Sequence, residues 1–233
     1  MLKAKNVSYK NILKNISFWA NRGTVTGIIG ENGSGKTTFL KALSGFLKFS
    51  GRISVNGKDI KKIPVNLRTS LINYLPQEFP QTELTPFDIL NITGEFKKIH
   101  GREIKNIISS YNLTQIASQP FLSLSGGEKV RVFLAKIELI NPLIVLLDEP
   151  SAFLDIKITN ILKKFVERMK RLSKTVIIVS NDLNFTINIS NHIVGIKNGS
   201  LISQSGTDIQ QFLEKVYETK IKLTKIDKKY FIF

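Results

Sequence analysis

The sequence predicts an α/β protein built on a mostly parallel sheet, and three observations carry that prediction. Short continuous apolar runs, "LIVLL", "TVIIV" and "HIVGI", read as strands buried on both faces. Segments of helical spacing separate the later runs, and strand–helix alternation favours parallel pairing. A glycine-rich stretch, "GENGSGKTT", joins the earlier strand "TVTGII" to a helix. In a parallel sheet, the carboxyl end of a strand is where ligands are held.

The elements follow in order. Up to about Val55, strand-like segments alternate with turns: "KAKNVSY", "NISFWA", "TVTGIIG" and "GRISVNG", the last closing on Asn56-Gly57. This predicts an N-terminal antiparallel β subdomain. Helical spacing takes over after Thr37, with Phe39, Leu40 and Leu43 on one face. From about Pro86 to Ile140 the pattern is helical, and Val130, Phe133, Leu134, Ile137 and Ile140 form a stripe best read as core packing. Residues 86–140 are therefore expected to be an inserted helical subdomain. The nucleotide-binding core is expected to span 1–85 and 141–233 of a single domain, 1–233. Helices are expected near Lys157–Leu172 and Asn184–Ser190, and the tail reads as a short helix leading into a strand.

The totals exclude several classes. A chain of 233 residues with 42% hydrophobic and 22% charged residues is ordinary for a globular protein. No apolar stretch approaches the ~20 residues that span a bilayer. The absence of cysteine rules out disulfides and thiolate metal sites. With no signal-peptide pattern at the start, a reducing cytoplasm is the expected setting. The net charge of +16 is uneven: residues 1–76 carry 13 Lys/Arg against Glu31 and Asp59, while 77–140 hold seven of each sign. A solvated lysine surface, an anionic membrane face and nucleic acid all fit that charge, and composition does not choose.

"GENGSGKTT" fits G-x-x-x-x-G-K-S/T and lies between a strand and a helix, the context this motif requires. It defines a P-loop NTPase core. Gly30, Glu31, Asn32, Gly33, Ser34, Gly35, Lys36, Thr37 and Thr38 are its candidate nucleotide contacts. Glycines let successive backbone N–H groups turn inward around phosphate oxygens, and the helix start adds positive potential. Lys36 should reach the β- and γ-phosphates, and the Thr37 hydroxyl should ligate Mg²⁺.

"LIVLLDEP" supplies the second half. An apolar strand ending in Asp148 puts a carboxylate where phosphate-bound Mg²⁺ sits, and Glu149 beside it is placed to polarise water for attack on the γ-phosphate. "LSLSGGEKVRVF" opens a helix at Ser125-Gly126-Gly127 with Glu128 in its first turn. That is an ordinary N-cap, or a second anion site, which becomes useful if it faces nucleotide held by another copy.

The ordered set "GENGSGKTT", "LPQ", "LSGGE", "VLLDEP" and "SAFLD" resembles the ATP-binding cassette family across essentially the whole chain. The resemblance implies a head-to-tail dimer with two ATP molecules between its subunits, where Ser125, Gly126 and Gly127 contact the γ-phosphate on the partner's lysine. It further implies that Tyr9 stacks on adenine, although a strand aromatic in the core reads equally from the residues. Gln77 is implied to sense Mg²⁺ and the attacking water, and Asp155 to cross the dimer interface. Integral membrane permease subunits are implied as partners, with the helical lobe docking on them. For an importer an extracytoplasmic solute-binding protein joins them, and no nucleic acid is expected. The implied place is the cytoplasmic face of the cell membrane, held peripherally.

One departure stands out. After the "VIIV" strand the family usually places histidine followed by Asp, whereas this chain has Asn181 before Asp182. His100 and His192 lie elsewhere in the sequence. Asn can donate and accept a hydrogen bond but cannot become cationic, so slow hydrolysis with intact binding is expected. A homodimer, in which both sites work with Asn181, is favoured by retained Glu149; a heterodimer would set this site beside a stronger one. The tail and "NDLNF" resemble cassettes serving importers of iron chelates, haem and cobalamin. Export, and a soluble cassette acting on ribosomes or nucleic acid, are the rival classes.

Overall fold

The computed structural model describes residues 1–99, 101–150, 155–203, 208–227 and 229–232. Strands β1 (Leu2–Tyr9), β2 (Leu13–Ala20) and β3 (Val25–Ile29) precede helix α1 (Lys36–Ser44). Then come β4 (Ser50–Val55), β5 (Lys58–Asp59), α2 (Val65–Leu71) and β6 (Ile72–Leu75). Helices α3 (Pro86–Lys97), α4 (Arg102–Ser110) and α5 (Gly126–Ile140) lead into β7 (Ile144–Asp148). The chain continues through α6 (Ile156–Arg171), β8 (Thr175–Val179), α7 (Leu183–Ile189), β9 (His192–Lys197) and β10 (Ser200–Ser203). It finishes with α8 (Ile209–Tyr217), β11 (Leu223–Ile226) and β12 (Lys229–Ile232).

Two sheets organise these elements. The first is antiparallel in the order β2-β1-β4-β5. Its β4–β5 turn is Asn56-Gly57 with φ of 48° and 83°, the doubly left-handed pair that a two-residue hairpin needs. The second sheet runs β10-β9-β3-β8-β7-β6, with every pairing parallel except β10 on β9. The expected α/β class, P-loop core, antiparallel β subdomain and helical insertion are all present.

Why the apolar runs are continuous is visible in the packing. Val145, Leu147, Val176 and Ile178 face one core with Phe121, Phe133, Leu162 and Phe165. Their neighbours Ile144, Leu146, Ile177 and Val179 face the other, with Phe39, Leu40 and Ile53. Successive strand side chains point to opposite faces, so covering both faces demands apolar residues at every position. The functional consequence is placement. β3, β8 and β7 are neighbours in the sheet, so the chain leaves their carboxyl ends at one locus.

Several elements lie outside the sequence reading, among them α2, β6 and β10. β6 pairs parallel with β7, although its "INYL" is short and broken by Asn73. β10 folds back on β9 through Asn198 and Gly199, with φ of 49° and 79°. The tail expected to end in one strand instead forms a hairpin, β11 with β12, whose half-exposed polar alternation carries little hydrophobic signal.

Candidate nucleotide site

The loop after β3 turns through left-handed glycines, with φ of 149° at Gly30, 79° at Gly33 and 107° at Gly35. An L side chain is strained in that region. At Gly30 the space is closed as well, because a Cβ would lie 2.1 Å from the Ile196 carbonyl oxygen. Ser34 N–H donates to the Glu31 carbonyl at 3.2 Å, tightening the loop. Gly35 caps α1 without a side chain, so the first-turn N–H groups have no local acceptor. Ser34 Oγ is buried and has no hydrogen-bond partner among the described residues. A buried hydroxyl beside uncapped N–H groups suits phosphate oxygens. Glu31, Asn32 and Gly33 form the exposed rim, and Thr38 is half-buried.

Lys36 is only 6% exposed. Its Nζ donates to the carbonyls of Gly30 at 2.7 Å and Glu31 at 3.0 Å, folded back over its own loop. Burial pushes its pKa down, while the carboxylates of Glu149 and Asp148 pull it back up. The ammonium is thus a buried charge for which phosphate is a natural partner.

Thr37 and Asp148 meet across 111 residues of sequence: Thr37 Oγ1 donates to Asp148 Oδ1 at 2.8 Å. Asp148 is fully buried at the end of β7, and its other oxygen accepts from the Tyr74 hydroxyl at 2.6 Å. Burial raises the Asp148 pKa, against hydrogen bonds from Tyr74 and Thr37 and the charges of Lys41 and Lys36. Tyr74 was not anticipated from sequence; the only signal was its alternation with Ile72 before "LPQ". A hydroxyl and one carboxylate are the hard oxygens that Mg²⁺ takes from protein when phosphate and water complete its shell. No group of three or more His, Cys, Asp or Glu able to hold a metal occurs among the described residues.

Glu149 adopts a left-handed φ of 48°. A non-glycine residue there costs about 1–3 kcal/mol and persists where surroundings enforce it. The enforcement is visible: Glu149 N–H donates to the Val179 carbonyl at 2.8 Å, and Glu149 Oε2 accepts from the Asn181 N–H at 2.9 Å. Burial raises the Glu149 pKa, opposed by that backbone bond and by Lys36. The ends of β7 and β8 are thereby tied together beside the lysine. Asn181 itself is exposed, and Asp182 caps α7 by accepting from Phe185 N–H.

The remaining expected residues fall in distinct places. Gln77 is exposed and lines a cleft of about 470 Å³ together with Glu149 and Gly126. Ser125 closes a capping box: its Oγ accepts from Glu128 N–H, and Glu128 Oε2 accepts from Ser125 N–H at 2.8 Å. Those bonds hold the Glu128 carboxyl below its ordinary value. Ser125 and Gly126 are exposed, and Gly127 packs against Ile158. Tyr9 is half-exposed at the end of β1, with Lys10 Nζ 5.5 Å from its ring centroid. Asp155 is exposed and caps α6 by accepting from Ile158 N–H at 2.8 Å. The rest of "SAFLD", residues 151–154, and His100 lie outside the described residues. His192 starts β9, at the end of the sheet opposite the phosphate loop.

A second concavity, about 540 Å³, lies between α2, α3 and α5 and is lined by Leu84, Ile92, Phe96, Phe133 and Ile140. Lys136 also lines it, its Nζ 5.1 Å from the Phe133 ring centroid, and burial lowers its pKa. It makes no ion pair among the described residues.

The fold and the phosphate loop together define a P-loop nucleotide-binding protein. The family is equally clear: residues 13–152 match the ABC transporter family model, and the chain belongs to that ATP-binding family. It is 30% identical over 252 residues to the "Probable iron chelatin transport ATP-binding protein" of Helicobacter pylori, covering 100% of this chain and 99% of that one. It is also 30% identical over 202 residues to an ABC transporter ATP-binding relative from Streptococcus mutans, across 84% of this chain and 36% of that one. The chain spans 36 to 45% of the length of several such curated relatives. Among solved structures, a nucleotide-free ATP-binding cassette from an ABC transporter superposes with a TM-score of 0.76 at 26% identity, covering 92% of this chain and 94% of that one.

Proposed function

We propose that this chain binds and hydrolyses MgATP to drive a membrane transporter, and that the transporter imports a metal chelate. The observation that carries the reading is the 2.8 Å contact of Thr37 with Asp148, which joins the phosphate loop to the acidic strand end. In this reading the loop N–H groups and Lys36 hold the β- and γ-phosphates. Thr37, Asp148 and Gln77 hold Mg²⁺, which supplies charge neutralisation at the phosphates. Glu149, its carboxyl pushed toward a higher pKa by burial, orients water and accepts its proton as the γ-phosphate is attacked. The Asn181 main chain fixes that carboxylate, while its side chain faces the γ-phosphate in place of histidine.

Tyr9, half-exposed at a strand end, stacks on adenine. The exposed Ser125-Gly126 start of α5 meets nucleotide held by a second copy, and Asp155 lies at that seam. A homodimer follows if the partner is this same chain. The apolar groove of Ile92 and Phe96 supports docking of a permease subunit on the helical insertion 86–140. No helix among the described residues is long and apolar enough to cross a membrane, which suits a peripheral subunit at the cytoplasmic face. Import of an iron chelate is supported by the name of the Helicobacter pylori relative, which matches from end to end. A periplasmic or surface-held solute-binding protein completes such a system.

The test has two arms. MgATP titration of the purified chain should show binding that Lys36→Ala abolishes; binding that survives the substitution overturns the phosphate-loop reading. Affinity purification from native membranes should bring down an integral subunit and its ligand. Recovery of ribosomes or nucleic acid instead overturns the transport reading.

A further inference from the structure

Helix α8 lies against β9 where the strand carries Gly195. A Cβ at that position would sit 2.5 Å from Val216 Cγ2, so the bare glycine sets how closely the helix approaches. Val216, Phe212 and Leu213 share a small core with Ile29, the residue immediately before the phosphate loop. That approach brings Tyr217, the last residue of α8, to the loop itself: Gly30 N–H donates to the Tyr217 hydroxyl oxygen at 3.1 Å. On the side where a Cβ would point, the Ile196 carbonyl of β9 leaves Gly30 no free space. The loop entrance is therefore wedged between β9 and a phenol that arrives from 187 residues away.

The phenol belongs electrostatically to the site. Burial and the nearby carboxylates of Glu149 and Glu31 raise its pKa, opposed by the Gly30 N–H. The C-terminal segment also grips the other wall. Asn188 of α7 donates to the Tyr230 carbonyl at 2.7 Å and accepts from Tyr230 N–H at 2.9 Å. Asn184 accepts from Ile232 N–H at 2.8 Å. α7 begins two residues after Asn181, so α8 and the β11–β12 hairpin together bridge the loop and the strand end that carries Asn181.

We propose that Tyr217 is a positioning residue for the nucleotide phosphates, its hydroxyl fixing Gly30 and thereby the entrance of the phosphate loop in its binding geometry. The inference rests on the ATP-binding reading above. It gives the C-terminal segment a hold on nucleotide affinity that its distance from Lys36 in the sequence does not suggest.

Tyr217→Phe removes the hydroxyl and keeps the ring that packs beside Val216. ATP affinity and KM are expected to weaken by about three- to tenfold, the scale of one lost hydrogen bond, with kcat at saturating ATP within about twofold. Hydrogen exchange at the Gly30 amide should accelerate by a similar factor. A residue that only packs would lower the active fraction and leave KM and Gly30 exchange unchanged, and that result overturns the proposal. Should the variant fail to fold, exchange at Gly30 in the wild-type protein decides alone: a protected amide supports the bond, an unprotected one overturns it. Wild-type protein that does not bind ATP overturns the nucleotide reading itself, which separates the two failures.

Discussion

Asn181 reaches Glu149 through its main chain: its N–H donates to Glu149 Oε2 at 2.9 Å while its side chain stays exposed. A main-chain bond is indifferent to the side chain that bears it. Placement of the carboxylate is therefore independent of the Asn181 side chain, which leaves that side chain open to substitution.

Asn181→His should then raise steady-state ATPase without changing ATP affinity. Loss of one well-aimed transition-state donor costs on the order of 10²–10³ in rate, which bounds the gain from above. Steady-state kinetics of the purified protein measure it. An unchanged kcat means that Asn181 does not limit hydrolysis.

Glu149→Gln should separate stability from activity. Burial raises the Glu149 pKa above its unfolded value, so the folded state binds the proton more tightly than the unfolded chain. The native protein consequently loses stability as pH rises from the ordinary carboxylate range through the raised folded pKa. Gln carries no charge and can still accept from Asn181 N–H. Its melting temperature should exceed that of wild type by a few degrees, on the order of 1 kcal/mol, at pH 7 and converge with it near pH 4. Hydrolysis should fall by about 10²–10⁴-fold. Calorimetry across that pH range showing a constant difference would remove the titration argument.

Two glycines of one loop should respond differently to alanine. Gly30 combines a φ of 149° with a Cβ position 2.1 Å from a backbone oxygen, whereas Gly33 has a φ of 79° and open space around it. Gly30→Ala should cost about 2–4 kcal/mol, from strain plus overpacking. Gly33→Ala should cost about 1–2 kcal/mol, from its left-handed conformation alone. Urea midpoints compare them, and equal losses would show that the β9 carbonyl gives way.

Phe96→Asp places a charge in the exposed apolar groove between α2, α3 and α5. Because Phe96 is already solvent-exposed, the isolated chain should keep its unfolding free energy to within about 0.5 kcal/mol and its ATPase. Co-purification with a membrane subunit should be lost. Undiminished recovery of that subunit would move the docking surface elsewhere.

Much of the site was legible because its chemistry is local. The glycine loop, Lys36 and Thr37 lie within eight residues, and Asp148-Glu149 are adjacent. Their backbone demands, left-handed turns and a buried strand end, are written in residue type. Ser125 and Glu128 likewise announce their capping box by spacing. The N-cap reading of "LSGGE" holds within the chain, and its exposed glycine remains available to a partner.

Sequence alone determined the α/β class, the phosphate loop, the acidic strand end and the three continuous strands, because propensity, periodicity and short-range motifs are properties of neighbouring residues. Tertiary structure alone decided the contacts made across long separations. Tyr74 reaches Asp148 from the edge strand β6, across 74 residues, and Tyr217 reaches Gly30 across 187. Neither tyrosine's partner is readable locally, because a phenol at a strand or helix end serves packing or hydrogen bonding equally well. The order β9-β3-β8-β7 is what brings their partners to one locus. Strand order is set by how both faces of the sheet are buried, and no window of sequence contains it.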